Sequence, residues 1–346
     1  MKLLKELCEA PGVPGCEDAI RKIVQRELRK ICNTVKTDML GNVIGCKKGR
    51  GPAKNRRRVM ISAHMDEIGF IVKHIDDNGF LRVDTVGGIN PKTIIAQRVW
   101  VMGKKKLRGI IGSKPIHIMK DEERKKPATI EEVFIDTGLP GKTVKKSVEL
   151  GDPVVLEQSY VEIGDSVCCK ALDDRVGVYV MIEAVKKVKS PNVDIYAVGS
   201  VQEEVGLRGA VTSAFDVDPH VGIALDVTLA CDVPGAAKHQ QITALGEGTA
   251  IKLKDSSSLS NPKLVKMLRA VAKKKKIKHQ LEILPRGGTD AGAIQRTRGG
   301  VAVCTISVPT RYVHSVVEMA HKEDIQASID LLAEFLKVAH EGNFKL

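Results

Sequence analysis

The chain has 346 residues, 43% of them hydrophobic, and 55 Lys and Arg against 42 Asp and Glu, for a formal net charge of +13. That apolar content excludes a disordered polymer, and no apolar run reaches the ~18 residues of a membrane span. Aromatic residues are only 3%, which argues against a binder that stacks bases on aromatic platforms and against a wide sugar groove.

In chain order, the first predicted element is a helix. Ile20, Ile23, Val24, Leu28 and Ile31 recur at three- and four-residue spacing and share one face. Glu17 and Asp18 stand at its start, where the helix dipole favours acids. Short strands follow near 34–37, 43–44 and 58–63. From 69 to 163 the texture changes, with runs such as FIVKHI, GFLRVDTVGG, RVWVMG, LRGIIG and DPVVLEQSYVEI punctuated by Gly, Asp-Asn-Gly and Pro. Many short strands between turn signals predict a small β-barrel or sandwich. No helix of convincing length is expected there, only a weak one at 129–132, and 114–127 reads as a mobile polar loop. Strand and helix alternate again from 164: helix 174–188, strand 193–201, a helix after Gly206, strand 221–225, helix 262–275, strand 280–283 and strand 301–307. A last helix carries Ile325, Ile329, Leu332 and Leu336 on one face. The prediction is a split α/β domain, residues 1–68 and 164–346, interrupted by an inserted β domain at 69–163.

Lys5 and Glu6 interrupt any apolar run at the start of the chain, so no signal peptide is expected. The eight cysteines lack zinc-finger or redox spacing. Both features point to a cytoplasmic protein with reduced thiols. The basic runs Arg56-Arg57-Arg58, Lys104-Lys105-Lys106 and Lys273-Lys274-Lys275-Lys276 come with no nucleic-acid motif and read as solvated faces. Neither nucleic acid nor a membrane is an expected partner.

Polar residues cluster where apolar strands end. VMISA runs into His64-Met65-Asp66-Glu67, VDIYAVGSV into Gln202-Glu203-Glu204, VGIAL into Asp226, and VAVCTISV is followed closely by Tyr312-Val313-His314. Asp173-Asp174 precedes a helix. Singly, each has a bland explanation: a surface histidine, an exposed acidic pair or a helix cap. Together they occupy matching places in an α/β topology, whose sites form beyond the carboxyl ends of the strands. Two histidines and several carboxylates make a mixed N/O ligand set that suits Zn, Co or Mn. A glycoside hydrolase using paired carboxylates would leave both histidines without a task.

The segments AHMDEIGF, ALDDRVG, QEEVGLRGA, LDVT, GGTDAGAI and YVHS resemble, in order and spacing, the tetrahedral (TET) aminopeptidases. These are dinuclear metallopeptidases related to glutamyl and deblocking aminopeptidases, and some were once labelled endoglucanases. The resemblance covers essentially the whole chain. It implies a mixed-sheet, phosphorylase/hydrolase-like catalytic domain with an inserted β-barrel dimerisation domain. His64, Asp173 and Asp226 would hold one metal, and Asp173, Glu204 and His314 the other, with Asp173 bridging. Glu203 would be the general base, and Asp66 would hydrogen-bond and orient the His64 ring. Gly288, Thr289 and Asp290 would support substrate binding. Two divalent ions, Zn first and Co or Mn as alternatives, are the implied cofactors. Peptides are the implied substrates, with a weak lean to apolar or neutral N-terminal side chains. Dimers assembling into a tetrahedral dodecamer are the implied quaternary form. The same metals acting on acetylated or amide metabolites remain an alternative.

Overall fold

The strand Arg58–His64 is nearly continuous apolar sequence, and six of its seven residues are buried. Such runs suit a strand covered on both faces, as in parallel sheets flanked by helices. In the computed structural model, which describes the backbone of residues 1–346 and every side chain but those of Asn55 and Glu123, this strand lies centrally in an 11-stranded mixed sheet. Asp194–Ser200 and Val221–Leu229 flank it in parallel, and Ala302–Arg311 runs parallel beyond the latter. Antiparallel strands complete both sides: Val43–Lys47 and Thr34–Thr37 on one, then Glu318–His321, Ser166–Cys169 and Val161–Ile163 on the other. Thr249–Lys254 and His279–Ile283 branch from Ala302–Arg311.

Alternation along Arg58–His64 divides the core. Val59, Ile61 and Ala63 face a large apolar cluster that includes residues of the helices Asp18–Arg29, Leu172–Lys187 and Lys322–Val338. Met60 faces a smaller cluster with Ala214 and Ile294, from the helices Arg208–Val217 and Asp290–Gln295. Local chemistry sets several helix starts. Asn261 caps the helix Pro262–Lys275 by accepting the amides of Lys263 and Leu264, with Pro262 at the first position.

The second body is a closed barrel of six strands: Gly69–Ile75, Leu81–Val86, Val133–Asp136, Lys106–Ser113, Arg98–Met102 and Pro153–Leu156. Its first hairpin turns at Asp76, whose Oδ1 accepts the amides of Asn78, Gly79 and Phe80. Gly79 takes φ +100° there, a conformation costly for residues with a Cβ. Phe70, Val72, Leu81, Val99, Val101 and Ile135 are among the residues filling the interior.

Some sequence expectations need correction. Val161–Ile163 pairs with Ser166–Cys169 in the large sheet, not within the barrel. The barrel body includes a helix, Gly141–Ser147, whose Val144 is buried in the barrel core. A helix at Lys2–Glu9, buried through Leu4, Leu7 and Cys8, was not foreseen. The 114–127 stretch contains short helical turns at Ile116–Ile118 and Asp121–Lys125. The basic runs supply surface ion pairs: Arg58 with Asp218 at 2.7 Å and Lys275 with Glu334 at 2.8 Å. No helix among the described residues is long and apolar enough to cross a membrane.

Candidate metal centre and active site

The parallel strands deliver the foreseen residues to one end of the sheet. His64 closes its strand and pairs in register with Ser200, after which Gln202 turns with φ +55° into Glu203 and Glu204. Asp226 lies inside its strand, which runs on to Leu229 instead of ending there. His314 sits in the turn beyond Ala302–Arg311 with φ +61°. Asp173 and Asp174 lead the helix Leu172–Lys187 in non-helical conformations, joined by a cis peptide.

Asp173 is the centre of the arrangement. Its Oδ1 lies 3.0 Å from Nε2 of His64, and its Oδ2 lies 3.3 Å from Nε2 of His314. Glu204 Oε1 is 3.4 Å from the same His314 nitrogen. Donor atoms of His64, Asp173 and Glu204 all lie within 4.8 Å of one another. Glu203 Oε2 approaches Nε2 of His64 only to 3.9 Å, too long for a hydrogen bond. Asp174 turns away: it accepts the amides of His64 and Gly177 and so caps the helix. The two bland and functional explanations of Asp173-Asp174 therefore divide between the two residues.

The electrostatics follow from crowding acids in a dry place. Burial pushes the carboxyls of Asp226 and Glu203 well above the usual range and raises Glu204, and neighbouring carboxylates add to each. Burial would raise Asp173 too, but the two imidazoles outweigh it and hold it well below the usual range. Burial works to lower His314, yet Asp173 and Glu204 carry it up to about 12. A surplus of buried carboxylates around two imidazoles is a donor set that divalent cations would stabilise, so these residues fit the implied metals.

The carboxylate of Asp66 has a different task from the one expected. The Nδ1 of His64 lies 3.1 Å from the backbone carbonyl oxygen of Asp66, and the nearer carboxylate oxygen is 3.6 Å away. The carboxylate instead accepts the amides of Glu203 and Glu204, each at 3.0 Å. Two further contributors escaped the sequence analysis. Glu318 accepts the amides of Asp173 and His314. From the barrel body, Gly87 and Gly88 press against the site: a Cβ on Gly88 would lie 3.1 Å from His314 Nδ1, and one on Gly87 3.3 Å from Glu204. The adjacent glycines were the only available signal, and glycine pairs usually mean turns.

Comparison with known proteins agrees with this geometry. The M42 glutamyl aminopeptidase family matches residues 41–331. The chain belongs to that family. As an M42 peptidase it is a hydrolase that acts at peptide N-termini. A putative aminopeptidase of Acetivibrio thermocellus is 41% identical over 333 residues, covering 96% of this chain and 97% of the relative. The TET aminopeptidase structure from a Thaumarchaeota archaeon aligns with a TM-score of 0.94 at 37% identity, covering 97% of this chain and 95% of that one. The Pyrococcus horikoshii TET1 peptidase, described as assembling into a tetrahedron or a large octahedral shell, aligns with a TM-score of 0.85 at 31% identity, covering 97% and 98%.

In this M42 chain, His64, Asp173, Glu203, Glu204, Asp226 and His314 all line one pocket of about 450 Å³. Leu207, Leu229, Leu284 and Val313 line it too, as do Arg286, Gly287 and Gly288. Of the foreseen substrate residues, only Gly288 lines this pocket. Thr289 is 1% exposed and caps the helix Asp290–Gln295. Asp290 is 2% exposed, and its Oδ2 accepts the hydroxyls of Ser62 and Ser200 beneath the pocket. Neither residue lines the pocket, and both are buried among these hydrogen bonds.

Proposed function

We propose that this chain is a two-metal aminopeptidase that releases N-terminal residues from short peptides, with Glu203 as general base. The observation that carries this is the carboxylate of Asp173, which offers one oxygen to each of two imidazoles. His64, Asp173 and Asp226 would hold one ion, and Asp173, Glu204 and His314 the other. Zinc is the first choice, and cobalt or manganese suits the same N/O donors. Two such ions would polarise the scissile carbonyl and lower the proton affinity of water.

The chain's own residues do the rest. Glu203 stands close to the donor atoms without hydrogen-bonding the His64 ring. It takes the proton of the attacking water and passes it to the leaving amine. Leu207, Leu229, Leu284 and Val313 supply an apolar wall, which favours apolar or neutral N-terminal side chains over charged ones. A free N-terminal amine would also have a lone pair to offer one of the two ions, which a blocked N-terminus lacks.

The inserted barrel, residues 69–163 by the sequence boundaries, would serve as a dimerisation domain, and dimers would build a tetrahedral dodecamer. The likeness to the TET structures supports this assembly. Light scattering on a size-exclusion column tests it, and a mass near one subunit overturns it. The activity is tested with a panel of single-residue aminoacyl amides and their N-acetyl derivatives, assayed with Zn, Co and Mn. Release from free apolar amides should exceed release from acidic or acetylated ones. Equal or faster release from acetylated substrates would favour an amide hydrolase of another kind.

A further inference from the structure

Glu318 opens the strand Glu318–His321 and is 2% exposed. Its Oε2 accepts the amide of Asp173 at 2.9 Å, and its Oε1 accepts the amide of His314 at 2.8 Å. One carboxylate therefore ties the start of the helix Leu172–Lys187 to the turn beyond Ala302–Arg311. Strand register brings this about. Glu318 pairs with Cys169 across the antiparallel strand Ser166–Cys169, just upstream of Asp173. The left-handed backbone of His314, φ +61°, belongs to the turn that presents its amide to the same carboxylate.

Asp66 does the corresponding work elsewhere, taking the amides of Glu203 and Glu204. Four site residues are thus held through their backbones by two buried carboxylates, which leaves their side chains free to act as donors or base. Second-layer contacts of this kind orient metal ligands and tune affinity. The two held by Glu318 are those whose side chains meet at 3.3 Å.

We infer that Glu318 is a positioning residue that sets the spacing of Asp173 and His314 and thereby the affinity of the site for its second divalent ion. This rests on the two-metal reading above. Glutamine at this position presents one oxygen and one NH₂ group, so one of the two amides would face a donor instead of an acceptor. Aspartate keeps the charge but is one methylene shorter, too short to span both amides.

The experiment measures zinc per chain by elemental analysis, and zinc affinity by chelator competition, in the full-length wild type, Glu318→Gln and Glu318→Asp. Circular dichroism and metal-free melting temperatures accompany each, and either folded variant suffices. The wild type should hold two ions. Each variant should hold the second about 10- to 100-fold more weakly, with excess zinc restoring kcat at unchanged KM. Variants that melt lower yet hold both ions with wild-type affinity would show a purely structural role and overturn the inference. A wild type holding fewer than two ions would overturn the two-metal reading itself, and this inference with it.

Discussion

Nε2 of His314 lies 3.3 Å from Oδ2 of Asp173, on the opposite oxygen from the one that faces His64. Removing this imidazole should empty one half of the site and leave the other. His314→Ala is expected to lower the metal content from about two ions per chain to about one, a loss readable by elemental analysis, and to reduce turnover by at least ~100-fold. Unchanged metal content would show that His314 is not a ligand.

Glu203→Gln preserves shape and removes the proton acceptor. Metal content should stay at the wild-type level while kcat falls by about 100- to 10,000-fold. Steady-state kinetics on an aminoacyl amide, with metal analysis of the same sample, checks both halves of this expectation. Wild-type turnover in the variant would remove Glu203 from its role.

Asp66→Asn leaves one oxygen to serve two amides at 3.0 Å. Glu203 and Glu204 should lose their fixed backbone position together. A fall of about 10- to 100-fold in kcat or metal affinity is expected. The His64 ring should keep its orientation, because a backbone carbonyl holds it. A crystal structure of the variant with a rotated His64 ring would contradict this division of labour.

Lys252 and Glu282 form an ion pair at 2.9 Å, with both side chains fully buried behind the pocket. Thr228, on the pocket wall, donates to the same carboxylate at 2.6 Å. Lys252→Met would leave Glu282 unpaired in the interior, at a cost of about 3–5 kcal/mol. Burial by itself lowers the lysine, but the charges of Glu282, Asp226 and Asp255 outweigh it and raise it above 10.5. A raised lysine contributes stability that is complete below its unfolded value and lost as pH climbs through the folded one. The melting-temperature gap between wild type and variant should therefore shrink as pH climbs above about 10.

Much of the site was legible because most of its functional groups close or follow an apolar strand or head a helix, Asp226 inside its strand being the exception. His64, Glu203-Glu204 and His314 stand where apolar runs end, and the family resemblance gave them their roles. What stayed hidden acts at long range through the backbone. Glu318 looks like any acid in EMAH, and only folding brings the amides of Asp173 and His314 to it. Asp290 differs for another reason: the family resemblance implied substrate contact, whereas two distant serines hold its carboxylate. The strand His279–Ile283 also reverses the usual alternation. Glu282 points inward to Lys252, while Leu281 and Ile283 are 41% and 58% exposed. Periodicity alone would place those leucine and isoleucine side chains inside. The helix Lys2–Glu9 spans barely two turns, too little for a repeating pattern to show.

The most direct test of a two-metal aminopeptidase is a titration. The protein is stripped with a chelator, zinc or cobalt is returned in steps, and ions bound per chain are measured beside release of the N-terminal residue from a free peptide. Activity should vanish with the ions and return in full only as occupancy approaches two per chain. Full activity in protein shown to carry no metal would contradict it.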